Sequence, residues 1–557
     1  MALRRLLALV GAGLLLSSTA CGGASEEGGG DDGSSSRGST APSPDTAARA
    51  AELLADMSLE EKVGQLFVAT VSGTQAQDNA DLIETYHPGG LIYFPENLSD
   101  PEQVATLSNG LQDLAADSGA GIPLFLGIDQ EQGMVARLPF GARFPDAMAI
   151  GATRDPQAAA TLAGTTAAEL SALGINLDYA PVADVNVNAA NPVIGVRSFG
   201  SDPELVATMV PAQAEAFEEA GVVPVVKHFP GHGDTDVDSH TGLPVVDKTR
   251  EEWERVDLPP FRQAVEAGVD MIMTAHVVMP AIDGSGEPST LSPEVIDGVL
   301  RGELGYDGVV TTDALNMEGV RQTHDDGEIA VRAVLAGADQ LLMPPDLATA
   351  HAAVLAAVEE GRIDRERLDA SVRRVLELKL ERGLFDAAPA DPDHARDTVG
   401  SAEHRRAAQE VADRSVTLLR NEGDVLPLAE GARVHVTGAG AQEISAALEE
   451  LGRTVTGSAG EADVVVVGTQ GARGDAEQQA MVESAGSSDT PVVVVAQGTP
   501  YDIVAIAEPD GYLATYSSVE VSRTAAARVL TGEVNPSGRL PVDIPGTDLG
   551  LGDGLTY

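Results

Sequence analysis

The sequence predicts two α/β domains: an N-terminal (β/α)8 TIM-like barrel followed by a smaller doubly wound α/β sandwich domain. Three observations predict this. A chain of 557 residues exceeds one ordinary domain, and its 43% hydrophobic content is ample for more than one core. From Thr46 to about Leu384, short β-rich apolar runs alternate with longer Ala/Leu/Glu helical stretches, as in repeated βα units around a parallel sheet. There are about eight such runs, the number a barrel needs over a usual length of roughly 200 to 400 residues.

The chain opens on Arg4 and Arg5, an apolar run and small residues ending at Cys21, which reads as an export signal over 1–20. The apolar run is too short for a membrane span. Ser17-Ser18-Thr19-Ala20-Cys21 looks like a bacterial lipobox, with Ser in place of the usual Leu three places before the cysteine; simple secretion is the alternative. Cys21 is the only cysteine, so neither a disulfide nor a thiol nucleophile is available to the mature chain. Residues 21–45 are rich in Gly, Ser, Asp and Glu, the composition of a disordered tether.

Net charge is −51, and −53 without Arg4 and Arg5, which opposes binding to nucleic acid or anionic head groups. Attachment to a membrane then falls to the lipid on Cys21. The only lysines are Lys62, Lys227, Lys248 and Lys379. So acidic and lysine-poor a surface fits either adaptation to high salt, where screening removes self-repulsion, or a generally acidic proteome.

In the barrel, 46–386, the strand candidates are 66–69, 90–94, 124–129, 175–185, 222–228, 271–276, 308–313 and 338–343. A barrel places its active site at the carboxyl ends of its strands. Asp129, Asp184, Lys227, His228, His276 and Asp313 lie at or near such ends. A single charge there could merely stop a strand, but several on one ring are not explained by packing, since unpaired buried charge costs several kcal/mol. A Pro/Asp-rich passage at 387–400 reads as an interdomain linker. Beyond it, in 401–557, strands at 416–419, 434–437, 464–468, 491–496 and 512–516 alternate with helical segments, which gives the second, doubly wound layer.

Three stretches carry chemistry. Residues 227–240, KHFPGHGDTDVDSH, follow a β-rich run and are too rich in Gly, Pro and Asp to continue it, so they form a long loop at the barrel mouth. Within it Asp238 and His240 are two apart, which in a locally extended segment puts carboxylate and imidazole on one side. Such a carboxylate orients the ring as a proton donor near neutral pH. A metal site built from His228, His232, Asp234, Asp236, Asp238 and His240 is the competing reading; the spacing matches no standard zinc pattern and Lys227 would oppose a cation, so no metal or organic cofactor is expected. In residues 308–317, GVVTTDALNM, an apolar strand ends on Asp313, a carboxylate able to attack an anomeric carbon, or alternatively a helix N-cap. In residues 127–137, GIDQEQGMVAR, a strand runs into an acidic loop, where Asp129 and Arg137 suit vicinal sugar hydroxyls or form a solvated salt bridge. Aromatic residues are only 3% of the chain and Trp253 is the sole tryptophan, which argues for a compact exo-acting pocket over a long polysaccharide cleft.

These stretches resemble glycoside hydrolase family 3, and within it the β-N-acetylglucosaminidase branch, from about Met57 to Pro545. The resemblance implies that Asp238 and His240 form the Asp-x-His acid/base dyad of that branch and that Asp313 is the nucleophile. It further implies that Asp129, Arg137, Arg197 of NPVIGVRSFG, Lys227 and His228 line the sugar site. RSVTLLRNEGDVLPL and LTGEVNPSGRLPVDIP are familiar from two-domain members, whose second domain is expected to support rather than catalyse. The family commonly reads DQEGGRV where this chain has DQEQGMV, so Gln132 and Met134 are expected to alter the pocket rim.

The implied activity is retaining removal of terminal β-N-acetylglucosamine from peptidoglycan-derived or chitin-type oligosaccharides, at the outer face of the membrane or secreted. The rivals are a phosphorylase, since a neutral His does not repel phosphate as a carboxylate would, a β-glucosidase, and a non-catalytic sugar-binding lipoprotein.

Overall fold

The computed structural model describes residues 42–557. The expected signal, Cys21 and most of the expected tether lie outside the described residues. The first helix, Pro44–Asp56, begins within the stretch read as tether, because Ser43 caps it and Pro44 occupies its first turn. Ala50 and Leu54 of this helix are buried with Leu368, Val372 and Leu376, which secures it to the last barrel helix, Arg365–Glu381.

Eight strands form the barrel: β1 Phe67–Thr70, β2 Gly90–Ile92, β3 Phe125–Ile128, β4 Leu177–Asp178, β5 Val223–Phe229, β6 Met271–Thr274, β7 Val309–Thr311 and β8 Leu341–Leu342. All neighbours are parallel in the order β8-β1-β2-β3-β4-β5-β6-β7, and a bridge between Thr311 and Gln340 brings β7 back to β8. Val68, Ile92, Phe125, Leu177, Val225, Met271 and Val309 fill the interior, with Val375 and Leu378 packed against them from the last helix. The barrel is therefore a packed core rather than a pore.

The 387–400 passage is an ordered part of the fold rather than a bare linker. Asp391 caps the helix Pro392–Thr398, and its Ala395, with Val399 beyond it, is buried beside Leu111 and Leu170. Asp followed by Pro, read as a break, is here the start of a helix.

The second sheet has six strands in the order Thr417–Asn421, Gly511–Ala514, Val492–Ala496, Val464–Thr469, Arg433–Gly438, Thr454–Val455; only the first pair is antiparallel. Its central valines alternate between two buried faces. Val464 and Val466 pack with Ile444, Leu448, Ala526 and Leu530, whereas Val465 and Val467 pack with Met148, Ala149 and Ala152 of the barrel helix Ala147–Thr153. The second domain thus shares a core with the barrel.

A polar latch lies beside this interface. The buried Glu169 carboxylate accepts the N–H groups of Ala142 at 3.1 Å and Gly400 at 2.8 Å and lies 2.8 Å from His404 Nδ1. Glu169→Ala strands those donors, and we expect it to cost about 2 to 3 kcal/mol in urea unfolding.

Candidate active site

The carboxyl ends of the barrel strands surround a pocket of about 300 Å3 lined by Asp129, Arg137, Arg197, Lys227, His228, His240 and Asp313. Seven of the eight predicted site residues therefore line one cavity; the eighth, Asp238, stands behind His240. Phe94, Ile194, Met273, Leu342 and Met343 supply apolar wall.

At the floor, Lys227 on β5 is 3% exposed at its side chain and reaches Asp129 at 2.9 Å and Glu131 at 2.7 Å. Glu131 also receives a bidentate pair from Arg197, Nε at 2.9 Å and Nη2 at 2.7 Å. Burial raises the Glu131 pKa, but Arg197 and Lys227 outweigh it and hold the carboxyl well below the usual range. Arg137 is 4.0 Å from Asp129 and lies over the Phe94 ring at 5.6 Å. Its Asp129 contact is thus at the long limit of an ion pair, and the main partner of Asp129 is Lys227.

His228 is held by Asp184, whose Oδ2 lies 2.7 Å from Nδ1 and whose Oδ1 accepts the His232 N–H at 2.7 Å. With Nδ1–H given to the carboxylate, Nε2 is presented toward the pocket, where Arg197 Nη2 lies 3.5 Å away. Next to it, His232 bonds Thr235 and Ser239, each at 2.9 Å, and burial pushes its pKa down to about 4, so it is neutral at ordinary pH.

Asp313 follows β7 and is partly exposed to the pocket. Its Oδ1 accepts the Ala314 N–H at 2.7 Å. Burial raises its pKa, yet His276, His228, the Ala314 N–H and Lys227 together outweigh it, so the carboxyl is held below its usual range and stays ionised. The nearest following helix starts at Glu318 with Met317 as its N-cap residue, so Asp313 does not cap it. His276, behind it, spans Thr290 at 2.9 Å and the Ala314 carbonyl at 3.0 Å.

His240 and Asp238 meet as expected, Nδ1 to Oδ1 at 2.7 Å, but the backbone is a turn rather than an extended segment. Asp238 Oδ1 also accepts the His240 N–H at 2.9 Å, and its carbonyl accepts the Thr241 N–H at 2.9 Å. This is the local side-chain bonding by which Asp stabilises turns. The His240 side chain is 59% exposed. Its loop is tied down by the His232–Ser239 bond, by Gly319 N–H to the Ser239 carbonyl at 3.0 Å, and by Lys248 between Asp234 and Asp257. Asp234 is taken by Lys248, His228 by Asp184 and His232 by Thr235 and Ser239, while Asp238 and His240 hold each other, and no group of three or more is placed to hold a metal among the described residues.

Gln132 and Met134 do not form the pocket rim. The buried Gln132 turns the hairpin Gln130–Gln132/Val135–Ala136 with a φ of 74°, a conformation that favours the glycine common in the family. Its amide donates to Thr166 Oγ1 at 2.9 Å and accepts the Phe144 N–H at 3.2 Å, which anchors the turn. Met134 is 65% exposed and faces a neighbouring cavity beside the second domain.

Sequence alone does not single out Glu131 or Asp178, nor the roles of Asp184 and His276. Asp178 closes β4, accepts the Gln130 N–H at 2.8 Å and leaves Oδ2 without a partner. Burial pushes its pKa up to about 8, against the attraction of Lys227. A folded-state pKa above the unfolded one gives stability that is complete below the ordinary carboxylate range and lost as pH rises through about 8. We expect Asp178→Asn to remove about 1 kcal/mol of the stability loss between pH 7 and 9, read as a flatter Tm profile.

The fold and the pocket define a two-domain (β/α)8-barrel protein whose charged site sits at the carboxyl ends of its strands. The chain belongs to glycosyl hydrolase family 3: residues 58–378 match the family's N-terminal domain and residues 416–553 its C-terminal domain. It is 41% identical over 380 residues to beta-hexosaminidase A of Pseudoalteromonas piscicida, covering 64% of this chain and 63% of that one. It is 30% identical over 384 residues to a beta-N-acetylglucosaminidase/beta-glucosidase of Cellulomonas fimi, covering 67% of each. Its fold superposes with a TM-score of 0.82 on a glycoside hydrolase family 3 beta-N-acetylglucosaminidase from Paenibacillus sp. str. FPU-7, at 40% identity over 87% of this chain and 98% of that one.

Proposed function

We propose that the protein is an exo-acting, retaining β-N-acetylglucosaminidase that releases terminal β-N-acetylglucosamine. The observation that carries the reading is the convergence of ionised Asp313 and the Asp238–His240 pair on one small pocket. Asp313 attacks C1 and forms a glycosyl–enzyme ester while the leaving oxygen takes the proton from His240 Nε2. Asp238 holds Nδ1–H and so keeps the ring oriented. A water then gives its proton to His240 Nε2 and attacks C1, the Asp313 carboxylate departs, and the sugar leaves with its β configuration. Lys227, Asp129, Glu131, Arg197 and His228 bind the hydroxyls, and charge-assisted bonds among them hold the donors and acceptors in place before substrate arrives.

The names of the relatives support this substrate class, and the pocket volume suits one sugar unit rather than a polymer cleft. On the lipobox-like run ending at Cys21, we place the enzyme on the outer face of the cell membrane, anchored by lipid, acting on peptidoglycan-derived or chitin-type oligosaccharides. The test is hydrolysis of an aryl β-N-acetylglucosaminide followed by NMR, with and without phosphate. β-N-acetylglucosamine as first product, at a rate independent of phosphate, supports the reading; a sugar 1-phosphate would make the enzyme a phosphorylase, and no turnover of any β-glycoside would overturn it.

A further inference from the structure

A cavity of about 620 Å3, larger than the sugar pocket, lies between the hairpin tip at Gly133 and Met134 and the second domain. Three arginines line it from three elements: Arg143 from the barrel, Arg405 from the helix Ala402–Ser415 and Arg523 from the helix Glu520–Thr531. Arg143 spends one nitrogen on the carbonyls of Ala136 and Leu138, at 3.5 and 3.3 Å. Among the described residues neither Arg143 nor Arg405 has a carboxylate at ion-pair distance, while Arg523 is shared between Gln497 at 2.6 Å and Glu443 at 3.4 Å. The helix Glu520–Thr531 starts at the cavity without a side-chain cap, which adds partial positive charge; Glu520 is the one acid on the lining. In a chain of net charge −51, this excess of cation is opposite in sign to the molecule as a whole.

The hairpin connects this cavity to the site. Glu131 and Val135 line the sugar pocket and Met134 the cavity, and the three steps of chain from Glu131 to Met134, which include the hairpin turn, separate them by at most about 10 Å. A ligand with a sugar in one and an acidic group in the other needs only to cross that hairpin.

We propose that the cavity is an anion-binding site for the carboxylates of an acidic aglycone, the peptide-bearing lactyl sugar next to the N-acetylglucosamine that is cleaved. This rests on the proposed glycosidase activity for its biological sense, but the binding does not need turnover. Arginine forks match carboxylates in bidentate geometry; among the described residues the Arg405 fork is unspent and Arg143 has only Nη1 engaged.

The test is calorimetry on the full-length chain at low ionic strength, with N-acetylmuramyl dipeptide, neutral N,N′-diacetylchitobiose and inorganic phosphate as separate probes. The muramyl peptide is expected to bind at least tenfold more tightly than the neutral disaccharide. Arg143→Gln/Arg405→Gln is expected to reduce that preference at least tenfold, and Arg405→Gln alone, whose side chain makes no hydrogen bond among the described residues, at least threefold. Equal affinity for the acidic and neutral probes, an unchanged preference in both variants, or binding of phosphate without the muramyl peptide would each overturn the proposal. Failure to hydrolyse an aryl β-N-acetylglucosaminide would sink the glycosidase reading instead, and the calorimetry would stand apart from it.

Discussion

Asp313→Ala is expected to lower kcat on an aryl β-N-acetylglucosaminide by about 10,000-fold or more, a loss of the size seen when a nucleophile is removed. The physical case rests on its charge state and position. Burial alone would protonate this carboxyl, but His276, His228, the Ala314 N–H and Lys227 hold its pKa down, so it meets the anomeric carbon ionised. The lowered pKa also stabilises the fold above the usual carboxylate range, and that contribution is lost only as pH falls through the lowered value. Asp313→Ala removes the charge that compensates these neighbours, so a Tm measurement must accompany the kinetics, with Asp313→Asn as the isosteric control. Sodium azide separates a nucleophile from a structural residue. Entering the space vacated by the carboxylate, azide would attack from the opposite face to the leaving group and give an α-glycosyl azide. A folded Asp313→Ala protein that retains a tenth of the parent rate would rule Asp313 out as nucleophile.

How much of this was legible in the sequence depended on whether a feature was local. Apolar runs that stop on a charge showed where β3, β6 and β7 end to within two residues, and Asp129, His276 and Asp313 followed from that; β5 instead runs through Lys227 and His228 to Phe229, so the stretch expected to be loop from 227 leaves the strand only after 229. Strand lengths were less legible. The run at 175–185 yields only Leu177–Asp178 as strand, because the chain departs through Pro181 and pairs again only at Val182 with Lys227. The Asp238–His240 contact was legible from a spacing of two, although a side-chain-bonded turn rather than a strand produces it. Glu131 was not legible as a partner. The hairpin pairing Gln130 with Ala136 presents it to Lys227 and to Arg197, 66 residues away, and no periodicity reports such a convergence. Asp178 was hidden for a related reason. In sequence it is one more polar residue in an apolar run, and its protonation follows from burial with one oxygen unpaired. The departures at Gln132 and Met134 were visible, but their consequence was not, since only the fold reveals that one lies under the hairpin and the other beyond it.

His240→Ala carries the second large effect, and its size depends on the leaving group. An exposed imidazole on a loop is a weak catalyst until substrate covers it; here its orientation comes from Asp238 at 2.7 Å, and its loop is held by the His232–Ser239 bond. Proton donation contributes about 100- to 10,000-fold when the departing oxygen is basic. We therefore expect His240→Ala to lower kcat/KM on chitobiose by that range, and to lower it much less on a dinitrophenyl glycoside, whose leaving group departs without a proton. With the dinitrophenyl substrate, breakdown of the glycosyl–enzyme becomes limiting because water has lost its base, so a burst of phenolate should precede a slow steady state. Azide needs no base and should restore turnover, giving the β-glycosyl azide, the opposite anomer to that expected from Asp313→Ala. Asp238→Ala keeps the ring but loses its orientation, and its cost on chitobiose should be smaller, about 10- to 100-fold. Equal losses on both substrates in His240→Ala, with neither burst nor azide rescue, would assign His240 to binding and leave the proton donor to be found elsewhere at the pocket mouth.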